Sequence, residues 1–175
     1  MADFRRKGFE TLLQRMKSAN ENFEITIRSA ANDDCEKVQN LVFGVLCEYG
    51  LKPDIEGTDR DIADIETYYI KRGGIFEVLE TAGGELLGTV GLYPIDAQTV
   101  ELRKMYFSRE LRGKGFGKKT LRRMIEKARQ MGFKTIYLET AGVLEEAVGL
   151  YKSFGFQPTA EKHTPRCDQA YKLKI

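Results

Sequence analysis

The sequence predicts a single α/β domain, in which a mixed sheet carries helices on its faces. Three observations predict it. Strand-like segments follow one another closely over residues 75–107, which makes a meander. Helix-like and strand-like segments then alternate to the end of the sequence. The 175 residues, 42% hydrophobic and 31% charged, suffice for one core and show no linker, repeat or low-complexity tract.

The elements follow from periodicity and punctuation. Residues 3–19 read as an amphipathic helix, with Phe4, Phe9, Leu12, Leu13 and Met16 roughly on one side. This segment forms an extension over residues 1–22, ahead of a domain spanning 23–175. It is expected to pack on the domain or on a second copy of the chain in a homodimer, rather than on a membrane. Phe23 to Arg28 alternates as a strand. Asn32 or Asp33 is placed to cap a helix with the stripe Val38, Leu41, Val42, Val45 and Leu46, which Gly50 closes. A loop holding Pro53 and Gly57 leads to a helix capped by Thr58 or Asp59 and ended by Gly73-Gly74. Strands at Ile75–Thr81 and Glu85–Tyr93 flank Ala82-Gly83-Gly84, which suits a tight turn. Thr99–Phe107 is a third strand. A helix starts in the glycine-rich segment and runs to about Met131, a strand spans Lys134–Thr140, and Leu144–Phe154 is a helix. Short strands at Phe156–Thr159 and Gln169–Lys174 finish the order.

Composition removes several functions. A net charge of +2 gives no general case for nucleic acid. Cys35, Cys47 and Cys167 are odd in number and far apart, as reduced thiols of a cytoplasmic protein would be. With His163 as the sole histidine, no metal site is expected. No G-x-S-x-G elbow accompanies it. Arg5, Arg6 and Lys7 are not followed by an apolar run, so the start does not read as a signal peptide, and no stretch approaches a membrane span.

The distinctive segment is Arg112-Gly113-Lys114-Gly115-Phe116-Gly117-Lys118-Lys119, between a strand and a helix. Glycines permit positive φ and close backbone approach. The first turn of a helix leaves N–H groups free, and with the helix dipole they form an anion site. Four nearby cations favour a diphosphate. Glycine content alone fits a solvated loop equally well. The spacing matches neither a Walker A loop nor a dinucleotide fingerprint.

The segment does fit R/Q-x-x-G-x-G/A, and through it the chain resembles the GNAT superfamily of N-acetyltransferases. The resemblance extends from about residue 24 to 175. It is strengthened by the element order, by the strand end Glu101-Leu102-Arg103-Lys104-Met105-Tyr106-Phe107, and by Ala147-Val148-Gly149-Leu150-Tyr151-Lys152-Ser153-Phe154-Gly155-Phe156, similar to A-x-x-L-Y-x-x-x-G-F. It implies a mostly antiparallel central sheet with helices on both faces and acetyl-CoA as co-substrate. It further implies pantetheine pairing along Met105, Tyr106 and Phe107, and diphosphate binding at Arg112, Gly113, Lys114, Gly115, Phe116, Gly117 and Lys118. Glu101 occupies the position of a general base in some members; its alternative is a solvent-facing strand residue. Tyr151 matches the general acid; its alternative is a core aromatic. Leu144 departs from the pattern, since many members carry a pantetheine-contacting Asn there; Thr140 is a candidate substitute.

The resemblance places the acceptor between residues 45–72 and 157–171. The first stretch is acidic (Glu48, Asp54, Glu56, Asp59, Asp61, Asp64 and Glu66), which would attract a cationic amine or simply form a charged helix face. Tyr68, Tyr69, His163, Arg166 and Asp168 are further candidates for its lining, and Arg166 could pair with a carboxylate, as an amino acid carries. The expected activity is acetyl transfer to a primary amine of a small molecule, such as an amino acid or a polyamine-like amine. Acetylation of proteins or peptides, and non-catalytic acetyl-CoA sensing, are the competing readings.

Overall fold

The computed structural model describes residues 24–175; the helix expected over residues 3–19 lies outside them. In chain order the elements are β1 (Ile25–Ser29), α1 (Cys35–Glu48), α2 (Ile65–Tyr68), β2 (Ile75–Thr81), β3 (Leu86–Pro94), β4 (Thr99–Phe107), α3 (Phe116–Gln130), β5 (Thr135–Thr140), α4 (Glu145–Ser153), β6 (Gln157–Pro158) and β7 (Gln169–Lys174). The strands form one sheet in the order β1-β2-β3-β4-β5-β7-β6. Every neighbouring pair is antiparallel except β4 and β5.

The two faces of the sheet bury different helices. Val38, Val42 and Leu46 of α1 join Ile62, Ile65 and Tyr69 against Phe76 and Val78 of β2. On the other face, Leu121, Met124, Ile125 and Ala128 of α3 and Val148 and Tyr151 of α4 pack on Val90, Leu92, Val100 and Leu102. The expected stripes thus meet a sheet that is hydrophobic on both sides.

Two local expectations are corrected. Neither Asn32 nor Asp33 caps α1. A single 3₁₀ turn over Asn32–Asp34 precedes it, and Asn32 Oδ1 instead accepts the Glu66 N–H at 3.0 Å. The helix expected after Thr58 is broken into a 3₁₀ turn at Arg60–Ala63, the short α2, and another 3₁₀ turn at Ile70–Arg72. The break follows from burial. Asp59 and Asp61 turn inward to meet cations, and Tyr69, fully buried, donates its hydroxyl to Asp61 Oδ2 at 2.6 Å. Asp64 restarts the helix by accepting the Thr67 N–H at 3.0 Å.

One irregularity governs the site. The β3–β4 register slips by one residue between Thr89 and Gly91, so that Gly91 faces Arg103 while Thr89 faces Tyr106. Lys104 sits in this bulge with φ +52°, the one positive φ outside glycine among the described residues. The Thr89 hydroxyl donates to its carbonyl at 2.7 Å. Beside the bulge, a Cβ on Gly91 would lie 2.6 Å from Tyr69 Cε1 and 3.0 Å from Phe76 Cδ2. Both rings are fully buried, so Gly91→Ala is expected to destabilise the fold by about 1–3 kcal/mol through overpacking. A denaturant titration reading a shifted midpoint at constant slope checks this.

Candidate active site

β4 and β5 pair only from Thr99–Thr135 to Glu101–Tyr137. Beyond Glu101 the strands part. β5 goes on with β7 through Glu139–Ala170 and Thr140–Gln169, while β4 goes on with β3. The gap opens into a cleft of about 800 Å³, lined from both faces of the sheet. Glu101, Tyr151, Met105, Tyr106, Phe107, Arg112, Gly113 and Gly117 all border it. Lys114, Gly115, Phe116 and Lys118 lie off its walls, in the loop and at the start of α3.

Glu101 is 7% exposed, so it is not a solvent-facing residue. Burial raises its pKa above the usual carboxylate value, even though Arg103 Nη2 donates to its Oε2 at 2.6 Å. Such a carboxylate accepts a proton more readily than an exposed one. The Arg103 guanidinium itself lies over the Tyr93 ring, 3.9 Å from its centroid.

Tyr151 enters from α4 on the opposite face. Its side chain is buried, packed near the Phe156 ring, and its hydroxyl has no hydrogen-bond partner among the described residues. Burial pushes its pKa well up, so the phenol keeps its proton near neutral pH. Tyr106 is also pushed up, to about 12, again first by burial.

The glycine loop matches the needs of an anion. Gly113 and Gly115 have φ +72° and +82°, and Gly115 precedes α3 without any side-chain cap. Lys119 N–H bonds to the Gly115 carbonyl, but the amides of Gly115, Phe116, Gly117 and Lys118 have no backbone acceptor among the described residues. Arg112 is anchored by Nε to the Phe107 carbonyl at 2.8 Å and by Nη1 to Glu48 at 2.7 Å, yet its Nη2 is buried without a partner. An orphaned guanidinium donor beside free helix amides suits a phosphate group. Leu144 lines the cleft at the start of α4 and offers no side-chain hydrogen bond there; Thr140, buried, lines it nearby.

The acidic stretch is largely used up by the protein itself. Glu48 pairs with Arg112 and Arg109. Asp54 accepts the Gly57 and Thr58 amides, Asp64 caps α2, and Glu66 accepts from Asn32 N–H. Asp59, fully buried, binds Arg166 through both oxygens at 2.7 and 2.9 Å and Lys104 Nζ at 2.6 Å. Asp61 lies 3.1 Å from the same ammonium. Arg166 therefore reaches the cleft wall with its fork already filled. Tyr68 and His163 line the cleft, whereas Tyr69 is core and Asp168 instead accepts the Gly142 amide at 2.6 Å.

Glu139 was not singled out by sequence reasoning. It lines the cleft on β5 and accepts from the Tyr137 hydroxyl and from the amides of His163 and Thr164 at 2.6 and 2.7 Å. Burial opposes its charge, but these donors prevail and lower its pKa. Its spacing two residues after Tyr137 was the only available signal. Cys167 also lines the cleft; burial pushes its thiol up to about 11.

Comparison with known proteins bears on this arrangement. The profile of the Acetyltransferase (GNAT) family matches residues 45–156. The chain is similar to the uncharacterized N-acetyltransferase YjgM of Escherichia coli (strain K12), 36% identical over 136 residues, covering 75% of this chain and 81% of that protein. It is also 36% identical to N-acetyltransferase 8 of Rattus norvegicus over 58% of this chain, but spans only about half (48%) of that relative's length. Among solved structures, an acetyltransferase of the GNAT family from Staphylococcus aureus Mu50 superposes with a TM-score of 0.80 at 23% identity, covering 86% of this chain and 99% of the other. The yncA protein of Salmonella typhimurium, solved with acetyl-CoA, gives 0.66 at 24% identity, covering 86% and 94%. The profile spans well over half of the sequence and the relatives share its fold, so this chain belongs to the Acetyltransferase (GNAT) family.

Proposed function

We propose that the chain moves the acetyl group of acetyl-CoA to a primary amine of a small molecule by direct attack. One observation carries this reading: a buried, basic carboxylate (Glu101) and a protonated phenol (Tyr151) reach one cleft from opposite faces, at the point where the sheet parts. In this reading the amine nitrogen forms a bond to the acetyl carbon and loses a proton to Glu101, directly or through water. Backbone donors in the gap stabilise the tetrahedral oxyanion. The C–S bond then breaks, and Tyr151 protonates the departing thiolate. The free amides of Gly115 to Lys118, with Arg112, hold the diphosphate, and the unpaired edge of β4 at Met105 to Phe107 takes the pantetheine arm. Cys167 stays protonated and has no part as a nucleophile.

Thiol release from acetyl-CoA, measured against small amines, peptides with a free N-terminus and no acceptor, tests the proposal. Turnover of small amines supports it. Turnover of peptides alone would move the acceptor class to polypeptides. A rise in Tm with acetyl-CoA but no turnover would make the chain a sensor. Tyr151→Phe is expected to lower kcat by roughly 10²-fold. Its Tm should stay unchanged, because the lost hydroxyl has no hydrogen bond to break among the described residues. A matched fall in both would mark Tyr151 as a packing residue only.

A further inference from the structure

The cations bordering the cleft differ in how fully they are used. Lys104 is bound by Asp59, Asp61 and the Thr58 carbonyl, Arg166 by both oxygens of Asp59, and Arg112 by Glu48 and the Phe107 carbonyl. Arg60 borders the cleft, is exposed, and has no ion pair or side-chain hydrogen bond among the described residues. Arg103 makes one side-chain hydrogen bond, from Nη2 to Glu101. Its Nη1 stands 3.6 Å from Asp61 Oδ2, which already accepts from Tyr69. Of five guanidinium N–H donors most remain for a ligand. The Tyr93 ring, 3.9 Å from the guanidinium carbon, holds the group in place. Glu101 and Arg103, two residues apart ahead of the bulge, stand on the same face of β4.

We infer that the acceptor is an amino acid or a similar small amine bearing a neighbouring carboxylate, with Arg103 and Arg60 receiving the carboxylate while Glu101 receives the amine. The inference rests on the acetyltransferase reading and adds the acceptor's chemistry. The Glu101–Arg103 pair presents a negative and a positive group side by side. A zwitterion laid on it meets each of its charges with an opposite one. A polyamine would bring extra positive charge against two guanidinium groups, which disfavours it. Arg103 and Arg60 are thus specificity-determining residues, and Arg166, filled by Asp59, is not.

The test compares the common amino acids with their amides and their decarboxylated amines, at saturating acetyl-CoA, by thiol release. Charge-assisted, fork-like binding of a carboxylate predicts kcat/KM roughly 10- to 100-fold higher for the best amino acid than for its amide or decarboxylated form. Arg60→Ala should raise KM for the amino acid severalfold and leave KM for the decarboxylated amine alone. Arg103→Lys keeps a positive charge beside Glu101 but loses the fork; it should narrow the ratio toward one, mainly through KM. Equal or higher kcat/KM without the carboxylate overturns the inference, and so does an absence of turnover with every amino acid. A rise in Tm with acetyl-CoA is measured in parallel. If that shift persists while the carboxylate preference fails, the acceptor class is wrong and the donor reading stands.

Discussion

Glu101→Gln is expected to lower kcat/KM by about 10²- to 10⁴-fold, the range of a lost general base. The substitution keeps the shape of the side chain and a hydrogen-bond acceptor for Arg103, and removes only the capacity to take a proton. The pH dependence makes the expectation specific. The base must be ionised, and burial raises its pKa, so the rate of the native protein should rise with pH through a value above the ordinary Glu range of about 4.3. That limb should vanish in the variant. Stability should move the other way. A carboxyl whose pKa is raised by folding favours the fold when protonated, and this contribution is lost as pH rises through the folded pKa. A neutral Gln is therefore expected to hold or raise Tm at pH 8. Unchanged kcat/KM would remove Glu101 from the reaction. A collapse of Tm together with the rate would make it a structural partner of Arg103.

The largest effect on stability is expected at Asp59. This carboxylate is fully buried between Arg166 from the β6–β7 loop and Lys104 from the bulge, joining both to the segment after α1. Its pKa is depressed: burial acts to raise it, but Arg166 and Lys104 more than reverse that. Asp59→Ala would leave two half-desolvated cations facing each other, which costs about 3–5 kcal/mol for a broken buried pair. Urea denaturation measures it. The acid limb follows from the sign of the shift. The stabilisation is fully present above the unfolded Asp pKa of about 3.9 and is lost as pH falls below it toward the folded value. The native protein should therefore lose stability between pH 4 and 2 more steeply than Asp59→Ala, on a scale set by about 1 kcal/mol or more. Parallel curves would show that the ion pairs contribute nothing net.

The outline of the fold was legible because its elements obey simple periods. Thr99–Phe107 forms a strand of the expected extent, and the stripe Leu121, Met124, Ile125 and Ala128 forms the buried side of α3. The glycine loop was legible because positive φ at Gly113 and Gly115 needs glycine. What escaped the sequence was what depends on burial of polar groups. Asp59 and Asp61 read as ordinary surface acids on a helix, yet they draw the chain inward and break that helix. Arg166 read as a carboxylate receptor because its partner lies 107 positions earlier in the chain. Glu139 read as a plain strand residue because its partners, the His163 and Thr164 amides, belong to a loop without a periodic signal. Lys104 carries no mark of its positive φ, since lysine is an unremarkable residue for a strand.

The bulge at Lys104 gives β4 two reading frames. Ahead of it, Glu101 and Arg103 share the α1 face of the sheet. Past it, the extra residue shifts the alternation, and Tyr106 takes the place on that face that Met105 would have held. The proposed base and the proposed binding wall thus lie in different frames of a single nine-residue strand. Deleting Lys104 would restore plain alternation, leave Tyr106 opposite Thr89 on the α1 face, and withdraw the ammonium from Asp59, with the composition of the strand almost unchanged. The site depends on the length of this strand as much as on the identity of its side chains.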